Sequence, residues 1–155
     1  MIISSFLSEH DIAYEKESNN DIDSYFLGLN LDSCFCKGVI GVNRGIGEIL
    51  ILLIIPVRFG EENYPEIKEL ISRINYYDEV GGFALDQEDG EIGYRRVFSF
   101  DQSGEDFLQG LSWHFAESIT MMNTYLAPIL KTAFGDKSPS VILNNADPKL
   151  YPYPN

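Results

Sequence analysis

The run Pro65-Glu-Ile-Lys-Glu-Leu-Ile-Ser-Arg-Ile-Asn-Tyr-Tyr-Asp78, then Gly81-Gly-Phe-Ala-Leu-Asp86, then Glu91-Ile-Gly-Tyr-Arg-Arg-Val-Phe-Ser-Phe100 reads as helix, glycine turn and hairpin. Ile67, Leu70, Ile71 and Ile74 recur every three or four residues, which makes one apolar stripe on a helix. Asn63 is placed to cap that helix. Pro65 falls in its first turn and Glu66 suits the helix dipole. In the hairpin, Phe83 and Leu85 share one face, and Ile92, Tyr94, Arg96 and Phe98 share one parity of the return strand. Gly90, after Asp89, supplies the positive φ that a tight turn needs. The stretch specifies local structure well and contains no catalytic constellation.

Working back from it, Glu48 to Phe59 contains the apolar run Ile-Leu-Ile-Leu-Leu-Ile-Ile without alternation. A run of that kind predicts a strand buried on both faces, at the centre of a sheet. Pro56 cannot donate to a strand ladder and marks a bend or the strand's exit. Two strands precede it, Asp23 to Leu31 and Phe35 to Asn43, and glycines Gly38 and Gly41 weaken the second. The connections are too short for crossover helices, so the strands form an antiparallel meander. Ile2, Ile3, Phe6 and Leu7 predict a first helix ending near His10-Asp11. Ile12 to Lys16 reads as a short edge strand or an extended connection.

Working forward, Leu108, Leu111, Phe115, Ile119, Met122, Leu126 and Ile129 predict one long amphipathic helix from Glu105 to Phe134. Pro128 should kink or interrupt it near Thr124, and Gly135 stops it. No regular structure is expected from Asp136 to Asn155, a proline-rich tail. The expected fold is therefore α+β, with helices packed on a mostly antiparallel five-stranded sheet in the order α-β-β-β-α-β-β-α. One domain covers residues 1–135 and the tail covers 136–155.

The chain has 155 residues, enough to bury a core without metal or disulfide. Its formal net charge is −13, from 11 Lys and Arg against 24 Asp and Glu. Such a field repels phosphate backbones and anionic membranes, so neither nucleic acid nor membrane is an expected partner. Basic proteins or peptides suit it, and solubility alone would also account for it. Cys34 and Cys36 are too few for a structural zinc site and lack the C-x-x-C redox spacing. The reading is two buried, reduced thiols. Met-Ile-Ile-Ser-Ser-Phe-Leu lacks a basic signal-peptide region, and Ile49–Ile55 is too short to span a bilayer. A cytoplasmic location is the expectation.

Three segments invite a chemical reading. Asp86-Gln-Glu-Asp-Gly-Glu91 has calcium-loop composition, but its glycine falls at the fifth position and a strand follows it. Gly110-Leu-Ser-Trp-His114 lacks the closing glycine of a nucleophile elbow, and Ser112 and His114 point to different sides of a helix. Arg95 and Arg96 face opposite sides of a strand. One is expected to meet a carboxylate, and the exposed one marks a partner contact. Phe107, Trp113, Met121 and Tyr125 lie off the main stripe of the last helix, which points to a second buried surface. Either the tail or a partner covers it.

The element order, with Ile74-Asn75, Gly82-Phe83-x-Leu85-Asp86-x-x-x-Gly90-Glu91-Ile92-x-Tyr94-Arg95 and a last helix through Met122, Tyr125 and Pro128, resembles the YbjN family over residues 2–134. That resemblance implies the type III secretion chaperone-like fold and a non-enzymatic, often dimeric, protein-binding module, chaperone-like or regulatory. It implies no catalytic residues, and the tail after Gly135 departs from it. The expectation is thus a homodimeric interaction module that binds a protein or peptide, with no cofactor and no metal. Its surface is expected at Phe107, Trp113, Met121, Tyr125, Arg95 and Arg96. The alternatives are a small-molecule or ion-sensing domain, and a hydrolase using acidic residues.

Overall fold

The computed structural model describes residues 2–100 and 107–146. Expectations for Glu105 and for the Tyr-Pro-Tyr-Pro-Asn end lie outside them. Helix α1 (Ile2–Glu9) is followed by strands β1 (Tyr14–Asn19), β2 (Ile22–Asn30), β3 (Phe35–Asn43) and β4 (Glu48–Arg58). A 3-10 turn (Glu61–Asn63) leads into α2 (Tyr64–Asn75), then come β5 (Gly81–Leu85), β6 (Glu91–Ser99), α3 (Phe107–Phe134) and α4 (Pro139–Ala146). The strands form one antiparallel sheet in the order β1-β2-β3-β4-β6-β5. The fold is α+β as expected, but the sheet has six strands and the element order differs from α-β-β-β-α-β-β-α.

The sixth strand is β1. Its sequence, Tyr-Glu-Lys-Glu-Ser-Asn, offers one half-buried ring and otherwise exposed side chains. Backbone bonding to β2 holds it, in register from Tyr14 opposite Leu27 to Asn19 opposite Ile22. Asn20 turns the chain between them with φ 49°, a left-handed conformation that asparagine tolerates.

In β4, Ile49, Ile51, Leu53 and Ile55 are buried, while Leu50, Leu52 and Ile54 between them are only half-buried. The strand is interior to the sheet, but the expected burial on both faces is corrected to full burial on one. On that face the chain collects its core: Tyr25, Leu27 and Leu29 of β2, Cys36 and Ile40 of β3, and Phe6, Leu70, Phe115 and Met122 from the helices. The register of β4 against β6 shifts between Ile54 and Arg58, around Pro56, as the missing donor there requires.

Asn63 does not cap α2. The 3-10 turn runs straight into the helix and leaves Asn63 in a helical conformation with no capping bond. Its side-chain amide instead donates to the Ala133 carbonyl at 2.8 Å, serving one of the orphan carbonyls at the end of α3. Pro128 lies buried inside α3, which runs unbroken from Phe107 to Phe134. Leu108, assigned to the apolar stripe, is exposed, and Tyr125, assigned off it, is buried against Phe83 with ring centroids 6.0 Å apart. Residues 139–146 are not irregular. Ser138-Pro139 starts α4, and Ile142 and Leu143 are buried. Of the cysteines, Cys36 is buried on β3 and Cys34 is half-buried just before it; burial pushes the Cys36 thiol up to about 11.

Asn75 closes the free edge of β5. Its Nδ2 donates to the Phe83 carbonyl at 2.9 Å, and its Oδ1 accepts from the Phe83 amide at 2.8 Å. One side chain thus substitutes for a neighbouring strand at an edge that would otherwise offer unpaired backbone groups. Replacing Asn75 by Ala removes both bonds, and urea unfolding should show a loss of about 2 kcal/mol at unchanged m-value. A loss below about 0.5 kcal/mol would show that water replaces the amide without cost.

Candidate functional site

Four of the six residues singled out in the sequence line one cavity. Arg96 rises from β6, and Trp113, Met121 and Tyr125 come from one side of α3. The connection from α2 to β5 closes the other side with Tyr77, Asp78, Glu79 and Val80, and Glu117 of α3 joins the wall. The cavity holds about 310 Å³, at the lower end of the size of ligand pockets. The other two residues fall elsewhere. Phe107 packs edge-on against Phe100, centroids 5.0 Å apart, and Arg95 is exposed on the opposite face of the sheet.

Strand parity puts Arg96 on the helix-covered face, where it is 5% exposed. The expected carboxylate partner on a helix is not there: among the described residues no ion pair includes Arg96. Its Nη1 donates to Tyr94 Oη at 3.5 Å, a long bond, and its Nε is buried without a partner among the described residues. Trp113 covers the guanidinium. Its ring lies 4.9 Å from the guanidinium carbon, a cation–π contact worth roughly 0.5–2 kcal/mol. That contact holds the indole at the cavity while leaving it 52% exposed.

Asp78 is tied to the same group through a relay. Tyr94 Oη donates to Asp78 Oδ2 at 2.6 Å, and the amides of Val80 and Gly81 donate to Oδ1 at 3.1 and 2.9 Å. Burial works against the carboxylate, but the Tyr94 hydroxyl, the two amides and the nearby Arg96 charge together hold its pKa below the ordinary value. Burial, then the bond to Asp78, pushes the Tyr94 hydroxyl up. Both groups therefore keep one protonation state at neutral pH, a hydroxyl donor against an ionised acceptor. His114, beside Trp113, is stacked on Phe98 with centroids 3.9 Å apart; burial and then the Arg96 charge lower its pKa.

The remaining candidates resolve into local structure. The acidic loop is a hairpin turn: Asp86 accepts from the Glu88 amide and Asp89 from the Glu91 amide, and Arg58 pairs with Asp89 and Glu91. Gly90, at φ 75°, lies against the Phe59 backbone, where a side chain would collide. Ser112 is exposed on α3. Among the described residues no group of three His, Cys, Asp or Glu side chains could hold a metal ion, and no helix is long and apolar enough to cross a membrane. The Asp78–Tyr94 bond escaped the sequence reading because its members are 16 residues apart and meet only when α2 docks beside β5. Asn75-x-x-Asp78 ahead of the glycine pair was the signal available. Compared with known proteins, the chain matches no family model and no curated sequence.

The pKa of Asp78 sets a pH dependence. Because its folded value is lowered, its ionised form stabilises the fold fully above the unfolded value of about 3.9, and that stabilisation disappears as pH falls through the folded value. Replacing Tyr94 by Phe should cost about 2 kcal/mol at pH 7. The gap to wild type should narrow in acid, once Asp78 is protonated. Urea unfolding at neutral and acid pH measures it, and a gap independent of pH would contradict the assignment.

Proposed function

We propose that the chain is a cytoplasmic, non-enzymatic interaction module, chaperone-like or regulatory, that takes up a basic segment of a protein or peptide partner at the Trp113 cavity. The observation that carries this reading is the composition of the cavity wall. Asp78, Glu79 and Glu117 stand against a single guanidinium, with the rings of Tyr77, Trp113 and Tyr125 among them. A lysine or arginine side chain has the matching form: an apolar stem for the rings and Met121, and a charged head for the carboxylates. The net charge of −13 draws basic segments toward the surface before any contact forms. The resemblance to the YbjN family points the same way, toward binding without chemistry.

Trp113 is the only tryptophan, so its emission reports directly on the cavity. Titration with a short lysine- and arginine-rich peptide should shift that emission, saturate in the micromolar range and weaken as salt is raised. The double substitution Glu79→Gln, Glu117→Gln should weaken binding about tenfold, as two partly screened ion pairs allow. An acidic peptide of equal length should give no shift. Equal responses to both peptides, or none to either at millimolar concentration, end the proposal.

A further inference from the structure

Among the charged groups that line the Trp113 cavity, Arg96 is the most buried. Asp78 and Glu117 are half-buried and Glu79 is exposed, so the wall runs from a cation at its floor to carboxylates at its rim. A buried guanidinium is ordinarily matched by a carboxylate in the plane of its N–H groups. Here the fold supplies none. Arg96 enters no ion pair among the described residues, its Nε has no partner there, and Nη1 reaches only the Tyr94 hydroxyl, at 3.5 Å. Asp78 is committed elsewhere, since its Oδ2 accepts from Tyr94 and its Oδ1 from the Val80 and Gly81 amides. The indole of Trp113 covers the guanidinium but offers its N–H groups no lone pair in their plane. The positive field reaches past the wall as well: after burial, it is the second cause that lowers the pKa of His114.

We infer that Arg96 captures the C-terminal carboxylate of the basic segment, so that the cavity reads a chain end and not a passing stretch. The inference rests on the reading of the cavity as a basic-segment site and names the part of the segment that enters. Size favours a chain end. The cavity of about 310 Å³ equals the space of about ten waters, which is room for one residue. The order of charges favours it too. A chain end entering carboxylate first brings its anion to the guanidinium, with nothing beyond it to accommodate. The basic side chains behind it then stand level with Glu117 and Glu79, and their stems lie against Trp113 and Met121. A carboxylate accepts from two guanidinium nitrogens at once, a fit of shape as well as charge. Fixed donors that hold a terminal carboxylate are a recurrent mode of peptide recognition.

Titration of Trp113 emission in the full chain with the peptide acetyl-KAKAR, once as the free acid and once as the C-terminal amide, tests it. The amide carries one more net positive charge, so the −13 field by itself favours the amide. Capture of the carboxylate reverses that order, and the free acid should bind about tenfold tighter. Arg96→Gln should erase the preference and leave the amide's dissociation constant within about twofold, with circular dichroism confirming the fold. Arg96→Lys, which keeps the charge without the planar fork, should retain part of the preference. Arg95→Gln, on the opposite face of the sheet, should leave it intact. The two peptides are compared on the wild-type chain, so their result stands even where a variant of Arg96 fails to fold. Equal binding of acid and amide, or tighter binding of the amide, overturns the capture and leaves the basic-segment reading in place. Binding of neither at millimolar concentration ends that reading and the capture with it. A preference that survives in folded Arg96→Gln places the carboxylate on another residue and overturns the inference. So does acetyl-KEKAR amide binding as tightly as the free acid, because the carboxylate would then come from a side chain.

Discussion

Strand β4 bonds to β3 on one side and β6 on the other, and its buried residues Ile49, Ile51, Leu53 and Ile55 form the floor on which α3 lies. The other elements take their places from that contact. The meander β1-β2-β3 extends from one edge of β4. The β5–β6 hairpin crosses to the other edge because α2 separates it in sequence from β4. Burying each aliphatic side chain in the run favours folding by roughly 1.5–3 kcal/mol, so truncating even one removes a sizeable fraction of a marginal net stability.

The same run leaves a residue of the problem unsolved. A strand with aliphatic residues at every position presents two apolar faces, and the helices cover one. Leu50, Leu52 and Ile54 remain half-buried on the other, beside exposed Phe26 and Phe35. The burial on both faces expected from the sequence and the helix-free face found in the structure are thus two aspects of one fact. Both signs of charge stand on that face, Glu15 and Glu17 on β1, Lys37 on β3 and Arg95 on β6.

Arg95 and Arg96 show how one register divides labour. Adjacent on β6, they point to opposite faces. Arg96 goes under the helices, where it is stacked on Trp113 and held near Asp78 through Tyr94. Arg95 goes to the open face, opposite Leu52. A shift of one residue would exchange them. The Asn75 clamp on Phe83 holds the β5 edge and, through it, the Asp78 loop that walls the cavity.

The sequence by itself determined the local elements whose signals are periodic: α1, α2, the β5–β6 hairpin, the aliphatic β4 and the long α3. It also determined that Arg95 and Arg96 part company, since strand parity is local. It underread β1, whose polar side chains carry no pattern because backbone pairing with β2 holds it. It underread α4 as well, where Pro139 starts a helix inside a proline-rich tail that carries no clear periodic signal. Tertiary structure alone decided that Arg96, Trp113, Met121 and Tyr125 share a cavity while Phe107 does not. It alone decided that Arg96 meets an indole and a phenol instead of a carboxylate. The physical reason is range. Periodicity records which way a side chain points within its own element, whereas a cavity depends on how three elements far apart in sequence come to rest against one another.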